Sequence, residues 1–267
     1  MLIEQSIPLY ARESVALFHG QRLGKENPIS LFELALRKIG RLLARTKMEE
    51  IYPLCALFNI NQEVDTIQKQ VVTAIADYQQ RLASQILSLS EFDFQAQFSL
   101  KITFGNPLIF NLAQLTKKFD ELMRLLTLAK HTGVLAPQPF FQEKEKHWSA
   151  MSGLILQIIN LDLQHMPSVR IEEYLIDSHV YEAAIPAMGE VEMAVLHAAL
   201  KMQFLPYMDA QKLENYQLAL KEKAKQKRSA TQVKKTDNPS QMEEAIPVES
   251  LTVLAESEAP IMPVVTA

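Results

Sequence analysis

Phe98-Ser-Leu-Lys-Ile-Thr-Phe104 is the one clean period-2 stretch in a chain that otherwise reads as helix. In a strand Leu100, Ile102 and Phe104 share one face, and Ser99, Lys101 and Thr103 share the other. A short strand is not stable alone in water, because its backbone donors and acceptors need a partner. No good second strand is visible elsewhere in the sequence. The expected partner is therefore the same strand of a second subunit, with Leu100, Ile102 and Phe104 in the dimer core. Two helical stretches follow at once. Strand, helix, helix, paired across a dimer, is the plan of a ribbon-helix-helix DNA-binding unit. There a two-stranded ribbon enters the major groove, and its outward polar residues read base edges.

The segments around this strand support a mainly α-helical fold with one short β-strand. Gly105-Asn106-Pro107 ends the strand, and Pro107 suits the first turn of a helix. That helix is expected to reach about His131, where Lys130, His131 and Gly133 form a C-terminal signal. Pro137 and Pro139 read as the next connection, and a second helix as 140–161. Upstream, residues 8–20 are amphipathic, and Gly20 to Pro28 reads as a loop. Ser30 is a helix N-cap with Glu33 at capping-box spacing, ahead of a helix to about Lys47. Tyr52-Pro53 opens a short helix to about Phe58. Residues 61–89 then form a long amphipathic helix, with Val64, Ile67, Val71, Ile75, Tyr78, Leu82, Ile86 and Leu89 recurring every three or four positions.

Downstream, helices are expected near 168–183 and 189–204, separated by Pro186 and Gly189. A charged helical extension covers 209–228, and 229–267 is expected to be a disordered tail. Residues 1–208 then make a helical body, with a ribbon-helix-helix-like element at about 98–161.

The net charge of −4 over 267 residues hides an asymmetry. Residues 221–235 hold Lys221, Lys223, Lys225, Lys227, Arg228, Lys234 and Lys235 against Glu222 alone, and residues 236–267 hold six acids and no base. The body is not broadly basic, so any nucleic-acid contact is local. The basic run suits non-specific nucleic-acid binding, a fold-back onto the acidic tail, or a solvated linker equally well.

The single cysteine, Cys55, excludes an intrachain disulfide and suits a reducing compartment. With no signal-peptide pattern at the N-terminus and no apolar run of membrane-spanning length, a cytoplasmic protein without membrane contact is expected. The six histidines lack ligand spacing, and there is neither a dinucleotide fingerprint nor a phosphate loop nor a nucleophile elbow. An enzyme reading has no positive support, and no cofactor or metal is expected.

Among cationic candidates, Lys101 is central on the outward face of the strand, where a guanine or phosphate contact is chemically natural. Lys117, Lys118 and Arg124 suit phosphate contacts or a solvated face. Lys144, Lys146 and His147 lie early in the second helix, whose free N–H groups and positive dipole end favour an anion. Glu143 and Glu145 interleave with them.

Several stretches together resemble the AcaB-like regulators of integrating conjugative elements and large conjugative plasmids. They are Ala11-Arg-Glu-Ser-Val-Ala-Leu-Phe-His-Gly20, Glu50-Ile-Tyr-Pro-Leu-Cys-Ala-Leu57 and Phe104-Gly-Asn-Pro-Leu-Ile-Phe110. The longest is Phe119-Asp-Glu-Leu-Met-Arg-Leu-Leu-Thr-Leu-Ala-Lys-His-Thr-Gly-Val-Leu135. Met188-Gly-Glu-Val191, Val195-Leu-His-Ala-Ala-Leu200 and Phe204-Leu-Pro206 complete the set. The resemblance covers roughly residues 8–208. It implies a transcriptional regulator of conjugative transfer genes, with a ribbon-helix-helix element inside a helical protein. Its partners would be double-stranded DNA, a second copy of the chain and the transcription machinery. Ser99, Lys101 and Thr103 are the positions it carries over to DNA. A second reading stays open: a non-enzymatic helical component of the element's transfer or maintenance machinery, binding a protein partner through helix 61–89.

Overall fold

The computed structural model describes residues 3–19, 30–85, 94–176, 179–202 and 208–236. It divides into a unit of Met1–Lys225 and a unit of Gln226–Ala267. The first is helical around one small antiparallel sheet. Strand β1 is Ile3–Leu9, and the helices before the second strand are α1 (Arg12–His19), α2 (Leu31–Thr46) and α3 (Ile51–Ala83). Strand β2 is Phe98–Phe104, followed by α4 (Pro107–His131) and α5 (Pro137–Asn160). Shorter helices α6 (Ile171–Ile176), α7 (His179–Met188) and α8 (Met193–Ala199) precede α9 (Ala210–Thr236), which continues into the second unit. Helix α9 runs through 229–236, correcting the expected start of the disordered tail at 229, and the rest of that tail, 237–267, lies outside the described residues.

Local signals set several helix ends. Ser30 Oγ accepts from the Glu33 N–H at 3.0 Å and caps α2. The Glu33 carboxylate turns forward to Arg37 at 2.6 Å, so only half of the capping box forms. Asn106 caps α4 by accepting from the Leu108 N–H at 2.8 Å, and Pro107 occupies the first turn, where no N–H is needed. Gly133, at φ 76°, supplies the left-handed residue beyond that helix.

Helix α3 corrects the expected break before residue 61. With Pro53 confined to its first turn and no glycine after it, the ladder runs 33 residues, about 50 Å at 1.5 Å per residue. Leu54, Leu57, Ile60, Val64, Ile67, Val71, Ile75, Tyr78 and Leu82 form one buried stripe along it. Helices α2, α4, α5 and α8 pack against this mast. Residues 86–89, expected to continue the helix, lie outside the described residues.

Helix α5 likewise begins earlier than expected, because Pro137 and Pro139 sit inside its first turn. Pro186 lies within α7 rather than between helices, and Gly189, at φ 77°, ends that helix. Near one end of the mast, Phe18 of α1 meets Phe32 of α2 and Phe119 of α4 edge-on, at 5.3 and 6.0 Å between ring centres.

Arg45 and the α2–α3 corner organise the other side. The Arg45 guanidinium pairs with Glu50 and donates to the carbonyls of Leu163, Met166 and Pro167 at 2.9 to 3.2 Å. Backbone bonds from Ile51 N to Val169 O, 2.9 Å, and from Ile171 N to Glu49 O, 3.0 Å, hold the same loop. Lys212 and Tyr216 of α9 close the corner by donating to the Glu49 carboxylate at 2.6 and 2.8 Å.

The expectation of a single strand is overturned. Strand β2 pairs antiparallel with β1 of the same chain, in the register Ile3↔Phe104 through Leu9↔Phe98. The backbone groups of 98–104 therefore find a partner without a second subunit.

Candidate nucleic-acid interface

Alternation along β2 gives the ribbon two unlike faces. Leu100 and Ile102 are buried, as are Ile7 and Leu9 of β1. The protomer's own core covers them, which corrects the premise that their burial calls for a dimer. The opposite face is exposed and polar: Ser99, Lys101 and Thr103 on β2, with Pro8, Ser6 and Glu4 directly across from them. Two hydroxyls, an ammonium, a further hydroxyl and a carboxylate thus share one side of a two-stranded ribbon. These are groups that can donate to and accept from base edges.

Glu4 and Ser6 were not anticipated. Gln5 interrupts the apolar alternation of Ile3, Ile7 and Leu9, and Pro8 mimics a helix start. Pro8 is tolerated because a two-stranded ribbon has only edge strands, where a missing N–H need not break the ladder. The surviving signal is the short alternation Ile7-Pro8-Leu9.

The ribbon is fixed to α4 at its base. Asp120 Oδ1 accepts from the N–H groups of Tyr10 and Ala11 at 3.0 and 2.9 Å, just beyond β1. Its Oδ2 accepts from Arg124 Nε at 3.1 Å. The Arg124 guanidinium in turn lies over the rings of Tyr10 and Phe94, at 4.7 and 5.6 Å, just outside the two strands. Arg124, considered above for phosphate, is therefore engaged in holding the ribbon.

Of the other cationic candidates, Lys117 forms no ion pair among the described residues, and the rest are committed. Lys118 pairs with Glu121 at 2.8 Å. Lys144 pairs with Glu13 of α1 at 3.2 Å and rests near the rings of Phe140 and Phe141. Lys146 pairs with Glu143 at 3.7 Å. The early start of α5 places both lysines beyond its first turn. Pro137 and Pro139 deprive that turn of two N–H donors, which removes the physical basis of the expected phosphate anchor. Lys101 and Glu4 differ: among the described residues neither forms an ion pair.

No group of three His, Cys, Asp or Glu residues able to hold a metal occurs among the described residues. No helix among them is long and apolar enough to cross a membrane.

The model of the family described as "Transcriptional regulator AcaB" matches residues 3–209. A comparison with curated proteins finds no match. Among solved structures, the crystal structure of selenomethionine-containing AcaB from uropathogenic E. coli is similar at a TM-score of 0.46 and 13% identity. That likeness covers 75% of this chain and 98% of the other. The family match takes in both strands of the ribbon and the body through α8, and on it the chain belongs to the AcaB family of transcriptional regulators.

Proposed function

We propose that this regulator binds double-stranded DNA in a sequence-specific manner, with the outward face of the β1–β2 ribbon in the major groove, and controls conjugative transfer genes. The observation that carries the reading is the ribbon: an exposed polar face of Ser99, Lys101 and Thr103 on a two-stranded antiparallel sheet. A major groove admits a two-stranded ribbon, and an ammonium there donates to guanine O6 or N7. Lys101, without an ion pair among the described residues, is the leading base contact. The reading keeps a homodimer. Each chain brings its own ribbon, and two ribbons would meet half-sites a helical turn apart. Leu100 and Ile102 lie behind the ribbon's polar face in this arrangement, and the Phe104 side chain lies outside those described. Lys144 and Lys146 take at most a secondary part, since each would have to leave its carboxylate.

The protein-interaction alternative relied on the apolar stripe of helix 61–89. That stripe is buried within this chain from Val64 to Leu82, so no observation favours it.

Binding of the full chain to promoter fragments of transfer genes, against an unrelated duplex of equal length, tests the proposal. Selective binding that weakens steeply with salt, and is lost in the variant with Ser99, Lys101 and Thr103 all changed to Ala, is expected. Unchanged selective binding by a folded triple variant would place the interface elsewhere. Light scattering of the free chain and of its DNA complex tests the dimer.

A further inference from the structure

The intrachain pairing puts a carboxylate on a face read above as meeting DNA. Glu4 is exposed, lies opposite Thr103, and stands two positions along the ribbon from Ser6, which is opposite Lys101. Glu4 and Lys101 are thus diagonal neighbours on one face, offset along the strands by about 7 Å at roughly 3.4 Å per residue. Bases in a duplex rise about 3.4 Å per step. A ribbon lying along the groove would set the two side chains over base pairs about two steps apart.

A carboxylate close to phosphates is repelled unless it finds a donor. The donors displayed by the major groove are the exocyclic amines of cytosine and adenine, while guanine and thymine present only acceptors beside the thymine methyl. A carboxylate matches cytosine N4, and it opposes guanine O6 and N7. Specificity is a difference of affinities, so a group that penalises wrong bases contributes to it even when it adds little affinity. Neither Glu4 nor Lys101 is neutralised by an ion pair among the described residues, unlike Lys118, Lys144 and Lys146.

We propose that Glu4, on the strand paired with 98–104, is a specificity-determining residue of the ribbon. Its carboxylate accepts from cytosine N4 at a base pair about two steps from the guanine that Lys101 contacts. This rests on the ribbon-in-groove reading and adds to it a second strand that reads sequence.

The test is selection from a library of randomised duplexes by the full chain, its Glu4→Ala and Glu4→Gln variants, and Lys101→Ala. The parent is expected to enrich a site with a cytosine and a guanine about two steps apart. Glu4→Ala should relax the cytosine position alone, lowering discrimination there by roughly tenfold, with non-specific affinity equal or higher. Glu4→Gln should move that position towards adenine, which a carboxamide engages at N6 and N7. If both Glu4 variants enrich the parental site while Lys101→Ala changes it, the Glu4 proposal is overturned and the ribbon reading survives. If Lys101→Ala and both Glu4 variants all keep the parental site, or the parent enriches none, the ribbon reading falls with it. Since Glu4 is exposed, each variant should retain the parental urea midpoint, which separates a loss of reading from a loss of fold.

Discussion

The carboxylate of Asp120 accepts a hydrogen bond from the backbone N–H of Ala11 at 2.9 Å, across 109 positions of sequence. Ala11 directly precedes α1, so this buried acid on α4 fixes the chain where it passes from β1 into that helix. The same carboxylate takes the Tyr10 N–H and the Arg124 guanidinium, and so ties β1, α1 and α4 together. Asp120→Ala leaves two N–H groups and a partly buried cation without their acceptor, at a cost of about 3 kcal/mol. Asp120→Asn keeps one oxygen for the backbone and should cost less. Urea unfolding should rank parent, Asn and Ala in falling order of midpoint. DNA affinity should fall in the same order, because β1 loses its anchor. An Ala variant with the parental midpoint would remove Asp120 from this role.

Legibility followed the range of the interaction. The α2 and α4 starts were readable because Ser30, Glu33, Asn106 and Pro107 act within three residues of one another. The exposed trio Ser99, Lys101 and Thr103 was readable because strand alternation is a local property. Strand β1 was not, since Gln5 and Pro8 blur its pattern and its partner lies about ninety residues away. Glu4 and Ser6 stayed hidden for the same reason: only the pairing register brings them to Lys101. The joining of 51–58 and 61–83 into one helix rests on the buried stripe, which runs from Leu57 through Ile60 to Val64 and outweighs the weak helix propensity of Asn59 and Asn61. Nothing local announced that Glu13 would hold Lys144.

Glu49 supplies a prediction in pH. Burial works against ionisation of its carboxyl, but the hydrogen bonds from Lys212 and Tyr216, with the charges of Lys212 and Arg170, outweigh it and hold its pKa below the ordinary 4.5. A carboxyl with a depressed folded pKa contributes stability that is fully present above the unfolded value and lost as pH falls through the folded one. Glu49→Gln should therefore unfold at lower urea than the parent at pH 7, and the gap should close as pH drops below about 4.5. A gap that stays constant from pH 7 to 3 would mean that the carboxylate charge is not what joins α9 to the α2–α3 corner.

Cys55 should be chemically silent in the native protein. It is 7% exposed within α3, and burial pushes its thiol up to about 12. At pH 8 only roughly one thiol in ten thousand would be ionised, and the thiolate is the reactive form. A thiol-directed reagent at pH 8 should leave the folded chain unlabelled and modify one site per chain in urea. Rapid labelling of the folded chain would show that the packing around Tyr52 and Cys55 opens readily.

His147 should make the fold sensitive to mild acid. It is buried in α5, and its Nε2 has no hydrogen-bond partner, with the nearest carboxylate oxygen, on Glu143, 3.6 Å away. Burial pushes its pKa below the ordinary 6.5, the Lys146 charge adds to this, and Glu143 works in the opposite direction. The unfolded chain takes up the proton near pH 6.5 while the folded chain resists it, so stability declines as pH falls from there to the folded pKa. An apolar side chain in place of the imidazole removes the orphaned nitrogen and the titration together. His147→Leu should hold or raise the urea midpoint at pH 7.5 and lose less of it than the parent between pH 7.5 and 5.5. A variant that loses as much as the parent would assign the acid sensitivity to other groups, and one weakened at pH 7.5 would show that the imidazole makes a contact the leucine cannot replace.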